Sequence, residues 1–166
     1  MKFTKSRDGI DFQIDMKLID PNTDSFVKKA KSALENSDMF IYDGHSGLGG
    51  YLYVDRFEDT LGSPLNLPLD KQQIMYFNGC STYSYYNTGY FEAKKGTEHL
   101  DVLTTSVGAV FSIGARHDVK LIEHITSGRR PTWQKIIDDI YKVSPEETAL
   151  THVNGDEDNP RKKRTR

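Results

Sequence analysis

The sequence predicts an α/β domain with a mainly parallel central sheet and helices on both faces. Three observations predict it. Apolar runs at 38–43 (DMFIYD), 74–77 (IMYF) and 100–105 (LDVLTT) have the length and content of buried strands. A helical pattern from Asp24 leads straight into the first of them, which is half of a crossover between parallel strands. The first two runs also empty into glycine turns, at the strand ends where α/β proteins hold ligands and reacting groups.

With 166 residues, the chain fits one domain large enough to bury a core. Residues 1–144 are expected to form it, and 145–166 a disordered charged tail. The tail carries acidic residues at 156–158 and the basic run RKKRTR at 161–166. A net charge of -2 gives no reason to expect nucleic acid as a partner. No run approaches a membrane span, and the first residues lack the apolar core of a signal peptide. A single cysteine rules out an intrachain disulfide, so the fold does not depend on an oxidising compartment. Localisation stays open.

Taken in order, Phe12, Ile14, Met16 and Leu18 alternate with polar residues, which predicts a strand suited to a sheet edge. Pro21-Asn22-Thr23 turns the chain. Phe26, Val27, Ala30, Ala33 and Leu34 then mark one helix face, with Thr23 or Asp24 as its cap. Residues 44–72 read as loop, with a short strand at 51–54 and prolines at 64 and 68. A tyrosine-rich loop or irregular helix follows to about Gly96. Residues 107–125 form a helix weakened by Gly108 and Gly114. Gly128 and Pro131 separate it from a last helix with Trp133, Ile136, Ile137, Ile140 and Tyr141 on its core face.

The chemistry sits at the two glycine-ended strands. His45 follows Asp43-Gly44, and Cys80 follows Asn78-Gly79. If the strands are parallel neighbours, both side chains reach one sheet edge. A cysteine nucleophile needs a base beside it, usually histidine, and N–H groups aimed at the developing oxyanion. Backbone N–H groups at Gly79, Cys80, and Ser46 or Gly47 are the candidates for that hole. Asp43 is a candidate for orienting the imidazole, or a loop cap. Alone, a cysteine after an apolar run is ordinarily a small buried hydrophobe, and a histidine in a glycine loop ordinarily faces solvent. The paired pattern shifts that balance.

At MFIYDGHSG and IMYFNGCS the sequence resembles the caspase-like cysteine peptidases, the group of caspases, legumain, gingipains, clostripain and separase. The Gly-Cys-Ser triplet looks most like separase, and the resemblance spans roughly residues 9–106. It implies a three-layer α/β/α sandwich and a cysteine endopeptidase with a His45-Cys80 dyad acting on a protein or peptide substrate. It also implies oxyanion donors after His45 and at Cys80, and a substrate pocket near Tyr83, Thr104, Thr105 and Ser106. No metal or organic cofactor is implied. Two features depart from the pattern. Ser46 stands where the family has glycine, and one strand and helix of the usual fold are missing before residue 9.

Other readings fit less well. Gly44-His45-Ser46 fails the G-x-S-x-G elbow because position 48 is leucine. The glycines at 44–50 make neither a P-loop nor a dinucleotide fingerprint. His117 and His124 lack a third metal ligand within reach. The main alternative is a caspase-like binding or scaffold module that does not cut. In it Tyr83, Tyr85, Tyr86, Tyr90 and Phe91 would supply a recognition surface.

Overall fold

The computed structural model describes residues 1–109, 111–143 and 151–156. The chain opens with an antiparallel hairpin of β1 (Lys2–Arg7) and β2 (Ile10–Asp15). Asp8 and Gly9 make its turn, both at positive φ, as a two-residue hairpin requires. The alternation at 12–18, expected at an edge of the central sheet, therefore builds a separate two-stranded sheet. The reason is local. An Asp-Gly turn provides an antiparallel partner at short range, before any long loop has to close. The strand stops at Asp15, and Met16 and Leu18 lie exposed beyond it.

Helix α1 (Asp24–Asn36) is capped by Thr23, whose Oγ1 accepts the N–H of Phe26 at 3.2 Å. Its buried face is Phe26, Val27, Ala30 and Leu34. The chain then enters β3 (Met39–Asp43), which pairs in parallel with β4 (Gln73–Asn78). Strand β5 (Leu100–Thr105) continues the parallel order. A fourth strand, β6 (Thr151–Asn154), joins β5 antiparallel, so the sheet is mixed but mostly parallel in the order β3-β4-β5-β6.

Strand β6 falls within the segment expected to be a disordered tail, and corrects that expectation over its length. Four residues carry no readable periodicity; pairing with β5 and packing of Val153 hold them in place. The rest of the expected tail, including RKKRTR, lies outside the described residues.

Two more elements differ from expectation. Helix α2 (Asp55–Leu61) forms in the stretch read as loop, and no strand forms at 51–54. Asp55 and Glu58 favour a helix start here, and Gly62 closes it in the left-handed conformation. Helix α3 (Thr82–Lys94) is regular, with Thr82, Tyr86, Tyr90 and Lys94 buried at a spacing of four, one face of a helix. Helices α4 (Phe111–Ile125) and α5 (Trp133–Val143) complete the chain's helices among the described residues.

The core lies in two layers divided by the sheet. Met75, Phe77 and Val102 pack with Phe26, Leu34, Tyr86 and Tyr90 on one side. Tyr76 and Leu103 pack with Leu121, Ile136, Ile137 and Ile140 on the other. Helices thus cover both faces, and β4 is buried on both, which is why it reads as a continuous apolar run. Among the described residues, no helix is long and apolar enough to cross a membrane.

Candidate functional site

The register of β3 against β4 makes Asp43 and Asn78 the last paired residues. The N–H of Gly44 donates to the Asn78 carbonyl at 3.0 Å and extends the ladder by one bond. Beyond it the two chains run in step, Gly44-His45 beside Gly79-Cys80. A Cβ at Gly79 would lie 2.6 Å from the Gly44 carbonyl oxygen, so the strand ends can approach this closely only if residue 79 is glycine. Sequence and register together bring His45 and Cys80 to one edge of the sheet.

After Cys80, Ser81 takes a left-handed conformation (φ 54°) and caps α3. That turn sets Cys80 directly before a helix N-terminus, whose partial positive charge favours negative charge nearby. The Ser81 N–H donates to the Val107 carbonyl at 3.1 Å, so it is already engaged. Cys80 is half-buried, with Sγ 3.9 Å from the Ala109 carbonyl. His45 is exposed, and its carbonyl accepts the Tyr42 hydroxyl at 2.5 Å. Burial, followed by the fields of Tyr51 and Asp43, pushes that hydroxyl up to about 12, so it remains a donor.

Two tyrosines of α3 hold the loop after His45. The Tyr86 hydroxyl donates to the Ser46 carbonyl at 2.9 Å, and the Tyr90 hydroxyl donates to the Leu52 carbonyl at 2.9 Å. Ser46 is buried without a positive φ; the left-handed residues of the loop are Gly47, Leu48 and Gly49. Serine at position 46 therefore brings no backbone strain. The hydroxyls, hidden within an apolar helix face, are what sequence reasoning missed. Tyr86→Phe removes one of these bonds and leaves a buried carbonyl with fewer donors. We expect it to cost about 1 kcal/mol in urea denaturation, and to make the 44–50 amides exchange faster by NMR.

The expected pocket residues divide. Thr104 and Thr105 are fully buried, so neither offers its side chain to a substrate here, which corrects that expectation. Thr105 is a brace: its N–H donates to Thr82 Oγ1 at 2.9 Å, and its hydroxyl donates to the Gly79 carbonyl. Thr82 in turn donates to the Phe77 carbonyl at 2.7 Å. A buried carbonyl-rich turn demands such donors, and they lock the strand end that carries Cys80. Ser106 stays partly exposed and Tyr83 is exposed, its ring 5.5 Å from that of His152 on β6. Leu48 and Val107, not singled out from sequence, are exposed on the neighbouring loops.

No protein-family model matches the chain, and no curated protein or solved structure matches it. Its site is described by its own geometry.

Asp43 is the candidate for orienting the imidazole or capping the loop. Its carboxyl turns to α4, where it lies against Gly114 and accepts a hydrogen bond from Asp118. Alternation along β3 explains this: Asp43 shares the face of Met39 and Ile41, which pack on the α4–α5 side. Asn78 joins the group, its Nδ2 donating to Asp118 Oδ1 and to the Gly114 carbonyl, each at 3.2 Å. Burial, then the charge of Asp43, raises the Asp118 carboxyl to about 7, with the Asn78 bond opposing and the proton it gives Asp43 adding to the rise. Burial also raises Asp43, and the bond from Asp118 opposes it. Among the described residues, no group of three or more His, Cys, Asp or Glu side chains is placed to hold a metal.

Proposed function

We propose that the chain is a cysteine endopeptidase of the caspase-like type, its sheet and helices forming that family's three-layer α/β/α sandwich. One observation carries the reading: His45 and Cys80 stand equally far beyond paired residues of adjacent parallel strands, with Gly79 pressed against Gly44 between them. In this mechanism His45 takes the Cys80 proton as Sγ attacks the scissile carbonyl carbon. The carbonyl oxygen gains negative charge beside the N-terminus of α3, with backbone N–H groups from Cys80 and the Ser46-Gly47 segment as donors. Collapse breaks the C–N bond, and His45 gives its proton to the leaving amine. A water molecule, deprotonated by His45, then attacks the thioester and releases the acid and the free thiol. Tyr83, Ser106, Leu48 and Val107 form the exposed rim a peptide would meet.

That rim also favours a second reading, a module that binds peptides without cutting them, since exposed aromatic and apolar side chains suffice for contact. Fluorogenic peptide libraries separate the two. Cys80→Ala should lower cleavage by about 1,000-fold or more, and His45→Ala by about 100-fold or more. At neutral pH, His45→Ala should also slow iodoacetamide alkylation of Cys80. Cleavage surviving in Cys80→Ala sinks the peptidase. Peptide binding that is equal in wild type and Cys80→Ala, with no cleavage by either, establishes the module instead.

A further inference from the structure

Two residues before His45 stands Asp43, and two residues before Cys80 stands Asn78; both side chains converge on the same turn of α4. We propose that Asp43 and Asp118 form a proton-dependent clamp that holds the two strand ends bearing His45 and Cys80 against α4, and releases them when the pair loses its shared proton. As regulation of the site, this rests on the reading of His45 and Cys80 as the working pair; as a structural device, it stands without it.

Asp118 Oδ1 accepts from Asn78 Nδ2, and the same carboxyl group meets that of Asp43; a proton on Asp118 turns a meeting of two acceptors into a hydrogen bond. Gly114 lets the Asp43 carboxyl sit where a Cβ would be 2.7 Å from its Oδ1, so the carboxyl is held tightly against the helix. With both acids ionised, two like charges would face each other at close range. Asp43 is exposed and water reaches its side of the pair, whereas around the buried Asp118 the protein groups offer little compensation. From β4 come the Asn78 amide and the Tyr76 phenol, which is buried and itself raised by burial and by the charges of Asp118 and Asp43. From α4 comes His117 beside Asp118, and burial favours its neutral form. Tyr141 of α5 and Thr151 of β6 reach only the Tyr76 side.

The sign follows. A carboxyl raised in the folded state binds more protons there than in the unfolded chain, so its stabilisation is present at acid pH and lost as pH rises through about 7. Asp118→Asn supplies the same donor and acceptor permanently: its amide N–H can serve Asp43 while its carbonyl accepts from Asn78. The test compares wild type with Asp118→Asn from pH 5 to 8.5. Wild type should lose about 5–10 °C more in Tm than Asp118→Asn over that range. Hydrogen exchange of the Gly44 amide, corrected for intrinsic rates, should become about tenfold less protected in wild type and stay level in the variant. In parallel, the Asp118 carboxyl ¹³C shift of the wild type should titrate near neutrality, which needs no mutant to fold. Parallel Tm profiles, unchanged Gly44 protection, or titration in the ordinary carboxylate range would each overturn the clamp. None of these readouts uses peptide cleavage, so loss of the peptidase reading and loss of the clamp are separable outcomes.

Discussion

Gly79→Ala is expected to cost the fold about 3 kcal/mol and to lower Tm by roughly 10 °C. The added methyl would lie 2.6 Å from the carbonyl oxygen of Gly44 and 3.3 Å from Thr82 Cγ2. The first of these neighbours is backbone, and it is not free to move. The N–H of Gly44 is tied to the Asn78 carbonyl, and the Gly79 carbonyl is tied to the Thr105 hydroxyl. Relief therefore means parting the two strand ends, which also parts His45 from Cys80. Urea denaturation checks the stability, and iodoacetamide alkylation of Cys80, run beside His45→Ala, checks the site. A variant as stable as wild type and alkylated at the same rate would show that the close approach of these strand ends is not required.

Lys94→Met is expected to destabilise by about 3 kcal/mol with little effect at the strand ends. Lys94 is buried at the end of α3, and its Nζ donates to the carbonyls of Pro68 (2.5 Å) and Lys71 (2.7 Å) and to Gln73 Oε1 (3.0 Å). Gln73 passes the connection on, its Nε2 donating to the carbonyls of Leu34 and Ser37. One ammonium thus joins the 64–72 connection, α1 and the start of β4, at the end of the sheet away from Cys80. Burial lowers the lysine from its ordinary value, and the charge of Asp70 opposes that. Methionine keeps most of the volume and removes every donor, leaving carbonyls unpaired in a buried place. Denaturant unfolding should show the loss, while alkylation of Cys80 in the folded protein stays close to wild type. A loss below about 1 kcal/mol would mean that water replaces the ammonium at no cost.

What the sequence by itself determined are the features whose causes are local. Strand β4 announces itself because burial on both faces demands a continuous apolar run, and β3 and β5 are readable from their apolar, aromatic and β-branched content. Helix α1 is readable from its period and its Thr23 cap, and α5 from Ile136, Ile137 and Ile140. His45 and Cys80 are visible because each follows a strand through a single glycine, a pattern written in consecutive residues. The Asp8-Gly9 hairpin and the four-residue spacing of Thr82, Tyr86 and Tyr90 were equally local signals, outweighed by the alternation at 12–18 and by the polar tyrosine composition. Tertiary structure alone decided the rest. Strand β6 exists because the edge of β5 offers hydrogen bonds to a segment with no signature of its own. Thr105 turned inward where the Gly79 carbonyl needs a donor, and Thr104 is buried beside it because helices cover both faces of β5. Asp43 meets Asp118 because alternation sends its side chain to the face that α4 covers. Its partner lies on a helix far along the chain, and no pattern of neighbours in sequence encodes a meeting that only packing brings about.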